Sequence, residues 1–451
     1  MTGWPDTFTF DGFDIDEAAR EVGLKYRLGD DLAFREVIGF DAPLPAAGSP
    51  LRAGFEAALE ALHILAGVSY YKVCVPPHLI VGDTFLDEGQ KKFFQSLYVD
   101  GLGEFGVRNN IDVASKVDFL NARFDTARQS ARLASEVTLP HKSAVLVGGG
   151  KDSLVSVEML RASGEPMTLF AVNPKKPILE CAAASGLPFI KVTRRLDPLL
   201  FDLNAKGALN GHVPITAIVS LIAMAASFVH GFDTVVLSNE RSADQGNVTV
   251  AGHEVNHQFS KTSAAEQELA HYVSRHIARN LAYFSLLRPL SEAHIGQLMA
   301  RSTRYDQAFT SCNRSFQINP KEEPKRWCGN CPKCRFTFLI LANAMEKERI
   351  VSILGKNMLD DPSQITGYEE LMGLSGHKPW ECVGEIAESG AALLRLAERD
   401  DWKDAAIVRA LAPRLATLMP DWPGVWQELM TPSPQHFLSP HYAKLLDDYV
   451  R

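Results

Sequence analysis

Residues 143–163 read SAVLVGGGKDSLVSVEMLRAS, and few local structures can accommodate them. The run 143–147 is short, apolar and β-branched, the composition of a strand buried on both faces. Leu154, Val157, Met159 and Leu160 then follow with the spacing of a packed helix. Between the two lie Gly148, Gly149, Gly150, Lys151, Asp152 and Ser153. Three successive glycines let the backbone curl and remove every Cβ that would hold a ligand away. The first amides of the helix lack intrahelical partners, so they and the helix dipole favour an anion there. Strand, bare turn and helix start together make a candidate phosphate cradle.

Two commoner phosphate loops do not fit. A Walker A loop needs glycine at the position of Val145, and Asp152 stands where it expects Ser or Thr. A dinucleotide fingerprint beginning at Gly148 needs glycine at the position of Ser153. The stretch instead resembles the Ser-Gly-Gly-x-Asp-Ser loop of the PP-loop ATP pyrophosphatases, with Gly148 in place of the first serine. That resemblance implies cleavage of ATP between its α and β phosphates, with AMP left on the substrate. A glycine-rich turn with no ligand is the plainer reading, and the surrounding pattern argues against it.

In that pattern, strands at 143–147, 167–172, 188–193 and 232–238 alternate with helices from 153, at 177–185 and at 214–230. Such alternation predicts right-handed crossovers and a parallel, doubly wound α/β sheet, which binds ligands beyond the carboxyl ends of its strands. The loops at that edge carry Lys151, Lys175-Lys176, Arg194-Arg195 and Glu240-Arg241, with Asn173 beside them. One charged loop means little. Four on one edge of a chain with net charge −8 favour a focused polyphosphate site, to which Asn173 and Arg194 are assigned.

The next block, 238–263, is long, polar and rich in Asn, His, Ser and Gly, and it reads as an active-site loop. It supplies Glu240, Arg241, His253, His257 and Lys261. Helices are expected over 265–284 and 291–302. Cys312 and the cluster Cys328-Gly-Asn-Cys331-Pro-Lys-Cys334 follow. Thiolates that close repel unless a cation neutralises them, so a structural tetrahedral zinc is expected, with an iron–sulfur cluster as the lesser alternative. The spacing resembles the zinc site of 7-cyano-7-deazaguanine synthase.

Elsewhere, 7–40 reads as two or three antiparallel strands, 51–66 as a helix, SYYKVCVP (69–76) as a strand, and a helix starts just after Asp83. Tyr70, Tyr71 and Lys72 read as core rather than ligand contacts. These assignments divide the chain into an α+β domain (1–135), a PP-loop domain (136–310), a four-cysteine segment with the helix 336–348 (311–350) and a helical region (351–451) without a catalytic constellation. At 451 residues, with 46% hydrophobic and 22% charged residues, the chain has the composition of a soluble globular protein. The acidic start MTGWPDTFTFDGFD lacks a signal-peptide pattern, and the longest apolar run is too short to span a bilayer, so a cytoplasmic location is expected. The acidic balance argues against nucleic acid as a partner.

From the residues alone, the reading ends at an ATP-dependent enzyme that adenylates a carboxylate or carbonyl oxygen, with Lys151 on the phosphates and Asp152 positioning Mg²⁺. Amide formation, thiolation or loss of an α-proton would each be a sensible next step. Together, VGGGKDS (147–153), SNERSADQGN (238–247), VNHQFSK (255–261) and CGNCPKC (328–334) resemble the UDP-N-acetylmuramoyl-L-alanyl-L-glutamate epimerases over nearly the whole chain. The resemblance implies inversion of the terminal L-Glu of UDP-MurNAc-L-Ala-L-Glu to D-Glu, using ATP and Mg²⁺ as cofactors and releasing AMP and pyrophosphate. It also implies pairing with a muramoyl ligase that adds L-Glu. His257, then His253 and Glu240, are the candidate bases, and Arg241 or Lys261 would bind the glutamyl carboxylate or the phosphates. Another adenylating PP-loop enzyme, forming a nitrile or an amide, is the alternative.

Overall fold

A computed structural model describes residues 3–250, 252–317 and 323–451. Its strands are β1 (Thr7–Asp16), β2 (Glu21–Leu28), β3 (Leu32–Gly39), β4 (His78–Val81), β5 (Arg123–Phe124), β6 (Ser143–Leu146), β7 (Met167–Val172), β8 (Phe189–Arg195), β9 (Thr234–Leu237), β10 (Val248–Val250), β11 (His253–Val255) and β12 (Ala282–Ser285). Ten of them form one sheet in the order β12-β9-β6-β7-β8-β3-β2-β1-β4-β5, and β10 pairs with β11 as a separate hairpin. The run from β12 to β8 is parallel throughout. The antiparallel strands β1–β3 join it where Val37–Gly39 of β3 pair with Thr193–Arg195 of β8.

The parallel part is doubly wound, because successive strands step outward from β6 in both directions. Alternate residues of each strand enter different cores, as the period of two demands. Ala144, Phe170 and Val235 pack with the N-terminal region, while Val145, Leu169 and Val236 pack with the C-terminal helices. On the first face, the apolar helix Ile215–His230 lies against helix Arg52–Ala66. A Cβ at Gly54 would sit 2.2 Å from the Phe228 ring, so glycine sets that close approach.

Four expected elements are corrected. The run read as a strand, 69–76, instead contains the helical turn Val68–Tyr71, every residue of which is buried. Tyr70 stacks on Tyr26 at 5.0 Å, so tertiary aromatic packing overrides β propensity here. The expected helix 265–284 stops at Tyr272, passes through a π-turn at Val273–Ile277, and becomes strand β12 beside β9. The helix expected from Asp83 begins at Glu88, where Asp87 and Gln90 form a capping box. Likewise the helix placed at 336–348 is Pro332–Ala342, started by Cys331 at its N-cap. Among the described residues, no helix is long and apolar enough to cross a membrane.

Candidate active site

The strand order reverses beside β6, and a cleft of about 410 Å³ opens beyond its carboxyl end. Gly148, Gly150, Asp152 and Ser153 form one wall. Gly149 has φ +76°, a conformation glycine adopts without strain, and helix Lys151–Ser163 starts directly after Gly150. Gly148 has no atom within 4 Å of its would-be Cβ, so no packing contact demands glycine at that position. Thr310 donates its backbone N–H to the Gly149 carbonyl at 2.9 Å, tying the turn to the segment that carries Cys312. Phe170, Val172, Ile215 and Val219 make an apolar wall.

Lys261, Lys333 and Cys382 also line the cleft. Lys261 Nζ donates to Cys382 Sγ at 3.2 Å. His257 lies beside the same thiol, and its Nδ1 meets the Glu104 carboxylate. Arg108 holds the other Glu104 oxygen at 2.5 Å. Burial alone would lower the His257 pKa, but Cys382 and Glu104 raise it to about 9. Burial alone would raise the Cys382 thiol, but Lys261 and His257 bring it down to about 6. The outcome is a thiolate at the cleft wall, paired with an imidazolium behind it that a carboxylate backs in turn.

Lys151 does not line the cleft. Its ammonium is fully buried between Asp152 and Glu292, which hold it charged against the penalty of burial. Lys333 Nζ lies 3.6 Å from Glu292. The cations at the cleft wall are therefore Lys261 and Lys333, and Lys333 was not among the residues singled out from sequence.

The four cysteines expected to bind metal do come together. Cys312 and Cys331 sulfurs are 4.0 Å apart, and those of Cys328 and Cys334 are 3.8 Å apart. A tetrahedron with zinc–sulfur bonds of about 2.3 Å has sulfur–sulfur edges of about 3.8 Å, so the donor set fits zinc. Backbone N–H groups of Cys328, Asn330 and Cys334 each point at a sulfur at 3.4 Å, which favours thiolates.

The family described as MurL N-terminal domain matches residues 3–286, and that described as MurL C-terminal domain matches residues 308–422. This chain belongs to the MurL family. Among its curated MurL relatives, a Micromonospora protein is 44% identical over 98% of both chains. One from Xanthomonas oryzae pv. oryzae is 43% identical over 89% of this chain and 88% of its own. One from Salinispora tropica is 44% identical over 90% of this chain and 88% of its own. All three are named UDP-N-acetyl-alpha-D-muramoyl-L-alanyl-L-glutamate epimerase. Membership in the MurL family makes this chain an enzyme, an isomerase of the epimerase type.

The other MurL residues singled out from sequence are scattered. Glu240 is buried, and its carbonyl accepts from Arg288 at 2.8 Å. Arg288, itself fully buried, also donates to the Lys261 carbonyl at 2.6 Å, so one guanidinium clamps both ends of the polar loop. Arg241 lies in the turn Arg241–Asp244, and His253 is exposed on the hairpin β10–β11. The Arg194 guanidinium is committed to Glu36 at 2.7 Å and Ser69 at 3.0 Å, and Asn173 pairs with the Arg194 backbone. Neither Asn173 nor Arg194 lines the cleft.

The region beyond 350, read as lacking a catalytic constellation, delivers one residue, Cys382, to the cleft. Its segment straps the polar loop. Asn247 donates to the Pro379 carbonyl at 2.8 Å, and Lys378 donates to Gln245 at 3.0 Å. A single cysteine in HKPWECVG carries no spacing signal, so only the fold brings it to Lys261 and His257.

Proposed function

We propose that this chain is an ATP-dependent epimerase that converts the terminal L-Glu of UDP-MurNAc-L-Ala-L-Glu to D-Glu and releases AMP and pyrophosphate. The observation that carries this reading is one cleft lined by a bare glycine turn, two lysines and the Cys382 thiol, with His257 and Glu104 behind that thiol. The relatives' printed name supports the substrate.

The backbone at Gly148 and Gly150, with Ser153, would bind the polyphosphate, and the apolar wall would take the adenine. The terminal carboxylate attacks the α-phosphorus, the bond to pyrophosphate breaks, and an acyl-adenylate forms. Lys261 and Lys333 offset the charge that gathers there. A free carboxylate resists loss of its α-proton, because the product is a dianion. The mixed anhydride withdraws electrons, so a base of ordinary strength can remove that proton. Reprotonation on the opposite face and hydrolysis give D-Glu and AMP.

The Asp152 carboxylate is a hard oxygen donor at the cleft edge and would hold Mg²⁺, which supplies charge neutralisation at the phosphates. The four cysteines would hold zinc with no open coordination position, a structural role. Of the candidate bases, His257 reaches the cleft through Cys382. ATP and a nucleotide-linked precursor as substrates fit a cytoplasmic enzyme acting beside the ligase that adds L-Glu.

The test is incubation with ATP, Mg²⁺ and UDP-MurNAc-L-Ala-L-Glu, followed by chiral analysis of the glutamate and assay of AMP and pyrophosphate. Accumulation of D-Glu with stoichiometric AMP is expected without added ammonia or amine. Retention of L-Glu under these conditions would overturn the reading.

A further inference from the structure

We propose that Cys382 is the side chain that removes the α-proton of the activated glutamate, with His257 and Glu104 acting as positioning residues behind it. The inference rests on the acyl-adenylate reading above and names the group that acts on that intermediate.

Three distant segments build the arrangement. Glu104 comes from helix Gly103–Asn109, His257 and Lys261 from the polar loop, and Cys382 from the C-terminal strap. Nothing structural claims the thiol. Cys382 forms no disulfide and stands apart from the Cys312–Cys334 cluster, whose four sulfurs already complete a tetrahedral set. It is half-buried and lines the same cleft as Gly148, Asp152 and Lys333.

The carboxylates of the neighbourhood, Glu240, Asp152 and Glu381, act on the cations of this cluster, and the cations that act on the sulfur itself are Lys261, His257, Lys333 and Lys378. They favour the thiolate, and its pKa is lowered to about 6 against the opposing effect of burial. A thiolate of that kind is a base matched to neutral pH. His257, raised to about 9, is already protonated at neutral pH and is poorly suited to take a proton itself. It holds the thiolate, as Glu104 holds it.

In the step, the Cα–H bond breaks and the S–H bond forms. The electron pair of the C–H bond moves into the activated carbonyl as an enolate. A solvent-derived proton then closes Cα from the opposite face, and Cys382 returns its proton to solvent.

The experiment measures deuterium entry at the glutamate α-carbon in D₂O, alongside pyrophosphate release, for wild type, Cys382→Ala and Cys382→Ser. Both variants should lose α-exchange by about 10²–10⁴-fold, the usual contribution of a general base, and far more than they lose pyrophosphate release. Alkylation of wild-type protein with iodoacetamide, mapped to Cys382, should abolish exchange in step with labelling, so the inference stays testable even if a variant fails to fold. Exchange within threefold of wild type in either variant would overturn it. So would parallel loss of exchange and pyrophosphate release in Cys382→Ala with both restored by Cys382→Ser, the mark of a structural role. If wild type exchanges the α-proton without releasing pyrophosphate, the adenylation reading fails, and the dependence of exchange on Cys382 still decides the role of the thiol.

Discussion

Lys333 Nζ stands 3.6 Å from Glu292 Oε1, while the other Glu292 oxygen holds Lys151. One buried carboxylate therefore orders two lysines, one beneath the glycine turn and one at the cleft wall. Lys333 also lies between Cys331 and Cys334 at the start of helix Pro332–Ala342, so the cysteine cluster sets where its stem begins. Lys333→Met removes the charge and keeps the stem. It should cut pyrophosphate release by roughly 10- to 100-fold, the range for one lost charged contact. Metal content, read by elemental analysis, should stay at the wild-type level.

Cys328→Ser removes one of four sulfurs from a closed set. The variant should lose bound zinc and several kcal/mol of stability, because metal affinity in such sites is folding energy. A thermal melt with and without a strong chelator checks this. Activity should fall with the melt, since the cluster anchors both Lys333 and the Cys312 segment that contacts Gly149.

Arg194 has a different role from the one its loop position suggests. Its partner Glu36 is completely buried, so Arg194→Ala strands a carboxylate in the core. A loss of about 3–5 kcal/mol is expected, read as a shift in the urea midpoint. At temperatures where the variant is folded, its KM for ATP should stay within a few-fold of wild type.

The thiolate–imidazolium pair makes a pH prediction. His257 has a folded pKa near 9, above its ordinary value, so its contribution to stability is complete below about pH 6.5 and fades towards pH 9. Cys382, depressed to about 6, contributes with the opposite slope across the same window: its stabilisation grows as pH rises towards the ordinary thiol range. In wild type the two slopes offset one another, and the urea midpoint should be nearly flat from pH 6.5 to 9. Cys382→Ser leaves the His257–Glu104 contribution uncompensated. Its stability should fall by on the order of 1 kcal/mol over that range.

The parallel strands and the glycine turn were legible because burial on both faces leaves uninterrupted apolar runs, as in MTLFAV. The cysteine cluster was legible because three thiols within seven residues repel one another as thiolates and hold together only around a shared cation. Strand β12 was hidden, since four residues with no flanking proline or glycine continue the helical rhythm before them. Cys382, Lys333 and Glu104 were hidden for another reason. Each is an ordinary residue locally, and its chemistry exists only once segments distant in the chain meet. Arg194 misled because its loop points to the ligand edge while its side chain satisfies Glu36.

The shared ladder between β3 and β8 has a mechanical consequence. Main-chain hydrogen bonds weld the two halves of the molecule along one seam, so neither half can swing against the other without tearing the sheet. The contacts of Asn247 with Pro379 and of Lys378 with Gln245 fasten the segment that carries Cys382 to the loop that carries Lys261, so the position of the thiol depends on that strap as well as on the sheet.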